Sequence, residues 1–197
     1  ARWRNENHAL SLANLENEVA GYEKVHADFP ITDLRWVIAH VPFATPDLLN
    51  RLKAMGAAVQ TTGWRYLQGT TANNGSPFRM ILENGIRAGL HSDSAHISPL
   101  NPWIHLYYAT TGVNAAGEPI NADQKISRQD ALRLYTRENG WFLRMEDKLG
   151  SIEAGKLADL AVLSDDYFTV PDDQMRRIRS VMTVVDGKIV HDAGMLQ

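Results

Sequence analysis

The sequence predicts a parallel α/β core followed by a β-rich tail, and three observations predict it. Strand-like apolar runs alternate with capped helices through the first half. The links between them are short, which favours parallel βα units over hairpins. The last third changes character to β-runs around an Asp-Gly turn. In order, Leu12, Leu15, Val19, Tyr22 and Val25 recur at helical spacing and predict a helix over about 10–27. "LRWVIAHV" (34–41) is a strand. "TPDLLNRLKAMG" is a helix with Thr45 as N-cap, Pro46 at its first position and Gly56 just past its end. "AAVQTT" (57–62) is a second strand, and the Gly-, Asn- and Thr-rich 63–76 is a loop. Ser76 and Pro77 repeat the cap pattern before a short helix ended by Gly85, and "IRAGLHSD" (86–93) is a third strand. A helix around 101–111, a loop over 112–126 and a helix over 128–139 opened by Ser127 follow. In the tail, "ADLAVLS" (158–164) is a strand and "VMTVVDGKIVHDAG" is a hairpin turning at Asp186-Gly187.

The bulk numbers exclude several classes. With 197 residues, 44% hydrophobic and 22% charged, the chain fits one compact domain, or one with a small appendage. A net charge of −3 without a basic stripe argues against nucleic acid as a partner. Apolar runs fall far short of the roughly 18 residues a membrane helix needs, so no membrane partner is expected. The absence of cysteine excludes disulfides and thiolate metal sites. It leaves the compartment open, with the cytoplasm slightly favoured. The first residues, "ARWRNENHALSL", carry no signal-peptide pattern and read as a sequence entered midway.

Three residues stand where parallel α/β folds place functional groups, at the C-terminal ends of strands. His40 ends "RWVIAH", Asp93 ends "IRAGLHSD", and His8 lies where a strand preceding the first helix would end. Two histidines and a carboxylate suit zinc or another borderline divalent metal, and an aspartate beside activated water can carry its proton. Plainer roles compete. A histidine after a strand is more often a hydrogen-bonded surface residue than a ligand, and Asp93 is equally placed to N-cap the next segment. His91, which shares a strand face with Asp93, and His96, a loop position, are weaker candidates. Trp64, Arg65 and Tyr66 line a pocket or simply pack. Spacing alone leaves these alternatives open.

The order of the blocks adds to this. "LRWVIAH", "GIRAGLHSDSAHISPLNPW", "DALRLYTRENGWF", "LGSIEAGKLADLAVLSDDYF" and "VVDGKIV" follow one another, with Gly150 and Gly155 at turns and Lys156 outside. In this arrangement the chain, from about His8 to its end, resembles the C-terminal part of amidohydrolase family 3, metal-dependent hydrolases of the urease/dihydroorotase superfamily. The resemblance implies a distorted (β/α)8 barrel with a β-sandwich built from both chain ends. Residues 1–145 would then be the C-terminal half of a TIM-like barrel, strands five to eight, and 146–197 part of the small β-sandwich domain. By position in that family, His8, His40 and Asp93 face the metal centre, and Asp93 shuttles protons. Relatives commonly carry an acidic residue shortly after the first histidine, where this chain has Leu10, Ser11 and Leu12. The family's His-x-His pair on strand one, and its bridging Lys or acidic residue on strand four, have no counterpart here. The implied activity is hydrolysis of a C–N bond in a small amide, N-acyl or N-formyl substrate, with a divalent metal, zinc first. A homo-oligomer or an N-terminal half would complete the barrel. The alternative is a non-catalytic remnant or assembly module with an incomplete metal site.

Overall fold

The computed structural model describes residues 3–94 and 97–195. Four short strands, β1 (Glu6–Ala9), β2 (Val37–His40), β3 (Ala58–Thr62) and β4 (Ala88–His91), form a parallel sheet in sequence order. Parallel neighbours need crossovers. These are α1 (Leu12–Asp28), α2 (Pro46–Ala54) and, between β3 and β4, the short α3 (Arg65–Gln68) and α4 (Phe78–Asn84). The caps form where the sequence places them. Ser11 accepts from the Asn14 amide, and Thr45 from that of Leu48 with Pro46 behind it; each such cap stabilises its helix by about 1 kcal/mol. α1 turns Leu15, Val19 and Tyr22 onto the sheet and leaves Leu12 and Val25 at its margins. Ile38, Val59, Ala88 and Leu90 meet them from the strands, making one core with Leu49 and Leu52 of α2 and Ile81 of α4.

Three expectations change in this first half. The loop over 63–76 contains α3. Ser76 does not cap α4, whose N-cap position is Pro77 with no side-chain cap; the Ser76 hydroxyl is committed to β2 and β3 instead. The strand expected over 86–93 ends at His91, so Asp93 lies in the loop beyond it.

α5 (Pro102–Thr111), capped by Asn101, is buried nearly all round, which explains why its sequence has no amphipathic period. After a 3-10 turn (Ala122–Gln124), the helix expected over 128–139 is two: α6 (Arg128–Tyr135), capped by Ser127, and α7 (Arg137–Leu143). The break is Thr136, at φ −120 and ψ −82, whose hydroxyl donates to the Leu132 carbonyl at 2.7 Å. It redirects the chain so that Asn139 of α7 donates to the Leu90 carbonyl at 2.9 Å. Phe142 of the same helix packs on Val37 and Ala58.

The tail is a three-stranded antiparallel sheet of β5 (Leu160–Leu163), β6 (Ser180–Val185) and β7 (Lys188–Asp192), with α8 (Asp172–Met175) between the first two. Asp186 and Gly187, at φ 50 and 73, make the two-residue turn that positive φ at both positions favours. Lys156 is not outside. Its ammonium folds back to the Glu146 carbonyl at 2.8 Å and the Ser151 hydroxyl at 2.6 Å, tying down the segment before β5. Among the described residues, no helix is long and apolar enough to cross a membrane.

Candidate functional site

Strand pairing sets His8 opposite Ala39, and His40 opposite Ala9 and Thr61. Alternation with period two therefore puts His8, Ala39, Gln60 and Gly89 on one face, and Ala9, Ile38, Val59 and Leu90 on the helix-packed face. By the same count His40 belongs under the helices. It does not go there. Positive φ at His40 (74) and Val41 (38) turns the end of β2 over, and the His40 ring meets His8 instead. His40 Nε2 lies 2.9 Å from His8 Nδ1, with the rings edge-on at 4.7 Å between centres.

The turned backbone is held by Ser76, whose buried hydroxyl donates to the His40 carbonyl at 2.6 Å and accepts from the Thr62 amide at 3.4 Å. The Asn121 amide in turn donates to the Ser76 carbonyl at 3.2 Å. A non-glycine residue in this region of φ costs on the order of 1–3 kcal/mol. Asp93, at φ 52, is a third such residue, and its Oδ2 lies 3.9 Å from His40 Nε2. It caps no described helix: the next one, α5, is capped by Asn101. Strained backbone at three positions around one imidazole marks the place where the fold departs from its own rules.

His91, the last residue of β4, brings its ring to 5.2 Å from that of His40. His40 Nδ1 and His91 Nε2 are both buried without a hydrogen-bond partner. Burial is the main reason that the His40 pKa lies below the ordinary histidine value; His8 and Arg65 add to the lowering and Asp93 opposes it. Burial, then the neighbouring His40, His8 and His105, bring His91 down to about 3. At neutral pH both rings are thus neutral, and the 3.9 Å approach of Asp93 to His40 is not a charged pair. Neutral imidazole is the form that ligates metals.

The structure brings His8, His40 and Asp93 together, and with them His91, which the sequence ranks lower. The signal for His91 lay in the register: it shares the face of Thr62 beside it on β3, at the same sheet end as His40. His96 lies outside the described residues. Trp64 stands at the rim, its ring 6.4 Å from that of His40. Among the described residues no three His, Asp or Glu side chains are arranged around a point that would hold a metal ion. The donor types of His8, His40 and Asp93, two nitrogens and one carboxylate oxygen, nevertheless suit a borderline divalent ion. The imidazole nitrogens sit at hydrogen-bond distance, whereas two ligands of a tetrahedral ion would stand about 3.3 Å apart. Two surface cavities, of about 360 and about 500 Å³, lie elsewhere, the first beside Arg87, Asp130 and Glu138 and the second beside Arg177, Arg179 and His191.

Comparison with known proteins places this geometry in context. A family model described as "Amidohydrolase family" matches residues 1–191. An N-substituted formamide deformylase of Arthrobacter pascens is 31% identical over 116 residues, which are 59% of this chain and 21% of that protein. A putative amidohydrolase of Bacillus subtilis is 27% identical over 118 residues, 58% of this chain and 22% of that protein. The chain thus spans about a fifth of the length of these curated relatives. Among solved structures, an amidohydrolase from Thermotoga maritima MSB8 superposes with a TM-score of 0.70 at 18% identity, over 96% of this chain and 43% of that one. A variant atrazine chlorohydrolase from Arthrobacter aurescens TC1, complexed with zinc and atraton, gives 0.69 at 19%, over 96% and 44%. At these identities the likeness is one of fold.

Proposed function

Since the chain belongs to the Amidohydrolase family, we propose that it serves a metal-dependent hydrolase that cleaves C–N bonds of small amide, N-acyl or N-formyl substrates. The observation that carries this reading is that His40 Nε2 stands 2.9 Å from His8 Nδ1 and 3.9 Å from Asp93 Oδ2 at one end of the sheet, with His40 turned against strand alternation. In this reading β1–β4 are strands five to eight of a (β/α)8 barrel over residues 1–145. The three-stranded sheet belongs to a β-sandwich over 146–197. An N-terminal half or a second copy completes the barrel.

His8 and His40 would hold the ion through neutral imidazole nitrogens, with Asp93 as the oxygen ligand, zinc being the first expectation. A divalent metal bound there supplies a Lewis acid and lowers the pKa of a neighbouring water. Asp93 accepts that water's proton and delivers it to the departing nitrogen, so that the amine leaves neutral. The positive φ of Asp93 fixes its carboxylate at the strand ends, where the substrate carbonyl would arrive. Burial keeps His40 unprotonated for its part. The N-formyl preference draws on the 31%-identical relative, an N-substituted formamide deformylase.

A non-catalytic assembly module is the second reading, favoured by the absence among the described residues of three side chains arranged around a metal. One experiment separates the two: metal content by atomic spectrometry, together with release of formate from N-substituted formamides, for the wild type and His40→Ala. Bound zinc and turnover, both reduced in the variant, support the hydrolase. A metal-free, inactive wild type after zinc loading supports the module.

A further inference from the structure

Arg65 opens α3, directly after the strand end that faces His40. Its guanidinium lies 4.0 Å above the ring of Trp64, and Trp64, like His8, meets His40 edge-on. A line therefore runs from the histidine pair, across one indole, to a cation. Gly75, at φ 89, leaves room for the arginine stem; a Cβ there would come within 2.8 Å of Arg65 Cγ. The remaining guanidinium groups that stack on aromatic rings, those of Arg35, Arg87, Arg128 and Arg176, also donate to a carboxylate, a carbonyl or a hydroxyl. The Arg65 guanidinium has no hydrogen bond or ion pair among the described residues, and its Nε is buried without an acceptor. Burial lowers its pKa, and its charge is felt at His40. Desolvating a cation without an anion is unfavourable; stacking on an indole offsets only part of that.

From the unpaired guanidinium held over Trp64, we infer that Arg65 forms a subsite for the carboxylate of an organic-acid substrate whose scissile group lies at the histidine cluster. The inference rests on the hydrolase reading and narrows its substrate class. A planar guanidinium with one face on an indole keeps its edge free for a two-pronged carboxylate contact. One positive charge matches one carboxylate, whereas a phosphate brings up to two negative charges. The indole between Arg65 and His40 sets a spacer of several methylenes between carboxylate and amide.

The test titrates the purified protein with four probes, followed by tryptophan fluorescence. They are ω-(N-formylamino)hexanoate, its neutral primary amide, hexanoate and hexanamide. The wild type should bind each carboxylate about tenfold to a hundredfold more tightly than its amide. Arg65→Met should lose that preference while binding the amides as before, and Arg65→Lys should keep part of it. Equal binding of carboxylate and amide by the wild type, absence of carboxylate binding, or a preference that survives in Arg65→Met overturns the subsite. The wild-type comparison decides even where a variant fails to fold. Hexanoate carries no scissile bond, so preference for it without formamide hydrolysis leaves the subsite standing and removes the hydrolase reading. Hydrolysis without the preference does the reverse.

Discussion

Ser76→Ala tests whether the turned end of β2 is held by a single hydroxyl. The hydroxyl is fully buried, and it is the hydrogen-bond donor at 2.6 Å to the carbonyl of His40, whose φ of 74 is the strained feature of the site. Its second bond, from the Thr62 amide, is 3.4 Å long and contributes little. Removing the donor leaves a buried carbonyl without its partner, at about 1–3 kcal/mol. The void left by one oxygen adds little, so a loss of about 2 kcal/mol is expected. For a chain of this size that lowers the thermal midpoint by roughly 4–8 °C. Urea unfolding should show a lower midpoint with an unchanged slope, since the surface exposed on unfolding is the same. Formamide turnover should fall as well, because His40 is free to relax toward the alternating position. A loss below about 0.5 kcal/mol with unchanged turnover would refute the argument that Ser76 holds the turn.

Two further substitutions probe the packing behind the site. In Gly63→Ala the added Cβ would lie 2.6 Å from His105 Cα and 2.8 Å from its carbonyl oxygen, backbone atoms that cannot swing aside. Overpacking of this kind should cost at least about 2 kcal/mol, and a thermal midpoint within a degree of the wild type would contradict the contact. His105 is buried in α5, bonded through Nε2 to the Ser98 hydroxyl at 3.0 Å, and burial lowers its pKa below 6.5. Below pH 6.5 the unfolded chain takes up a proton that the folded chain resists, so stability falls with acid until the lowered folded pKa is passed. His105→Leu should flatten the stability profile below pH 6.5; parallel profiles for variant and wild type would count against it.

Much of the fold was legible because its signals are local. Thr45, Pro46 and Ser127 announce helix starts, and Asp186-Gly187 announces the hairpin, through bonds and torsions that involve only neighbouring residues. What the sequence hid depends on contacts between distant segments. Ser76 looks like a cap, yet its hydroxyl goes to His40, a partner far away in the chain. The break at Thr136 is invisible in a pattern that runs smoothly through it, because α7 bends to reach β4 and Phe142 to reach Val37. At the site, the strand-end rule pointed to His8, His40 and Asp93; His40 lies beside each of the other two, but among the described residues no three such side chains surround a point that would hold a metal. The turning over of His40 could not be foreseen, since period two places it on the other face. His91 was ranked lower because its position says nothing of a ring 5.2 Å away on another strand. Arg65 appeared only as a loop residue beside aromatics, for its significance lies in the missing acid, which sequence does not display.

We propose that Asp93 works with His8 and His40 as the proton carrier of a hydrolase. This is tested most directly by kcat of zinc-loaded wild type and Asp93→Asn on N-substituted formamides, with metal content measured on the same samples. For Asp93→Asn, kcat should fall about 10²- to 10⁴-fold, while zinc held through His8 and His40 should be largely retained. Turnover of Asp93→Asn within a few-fold of an active wild type would contradict it.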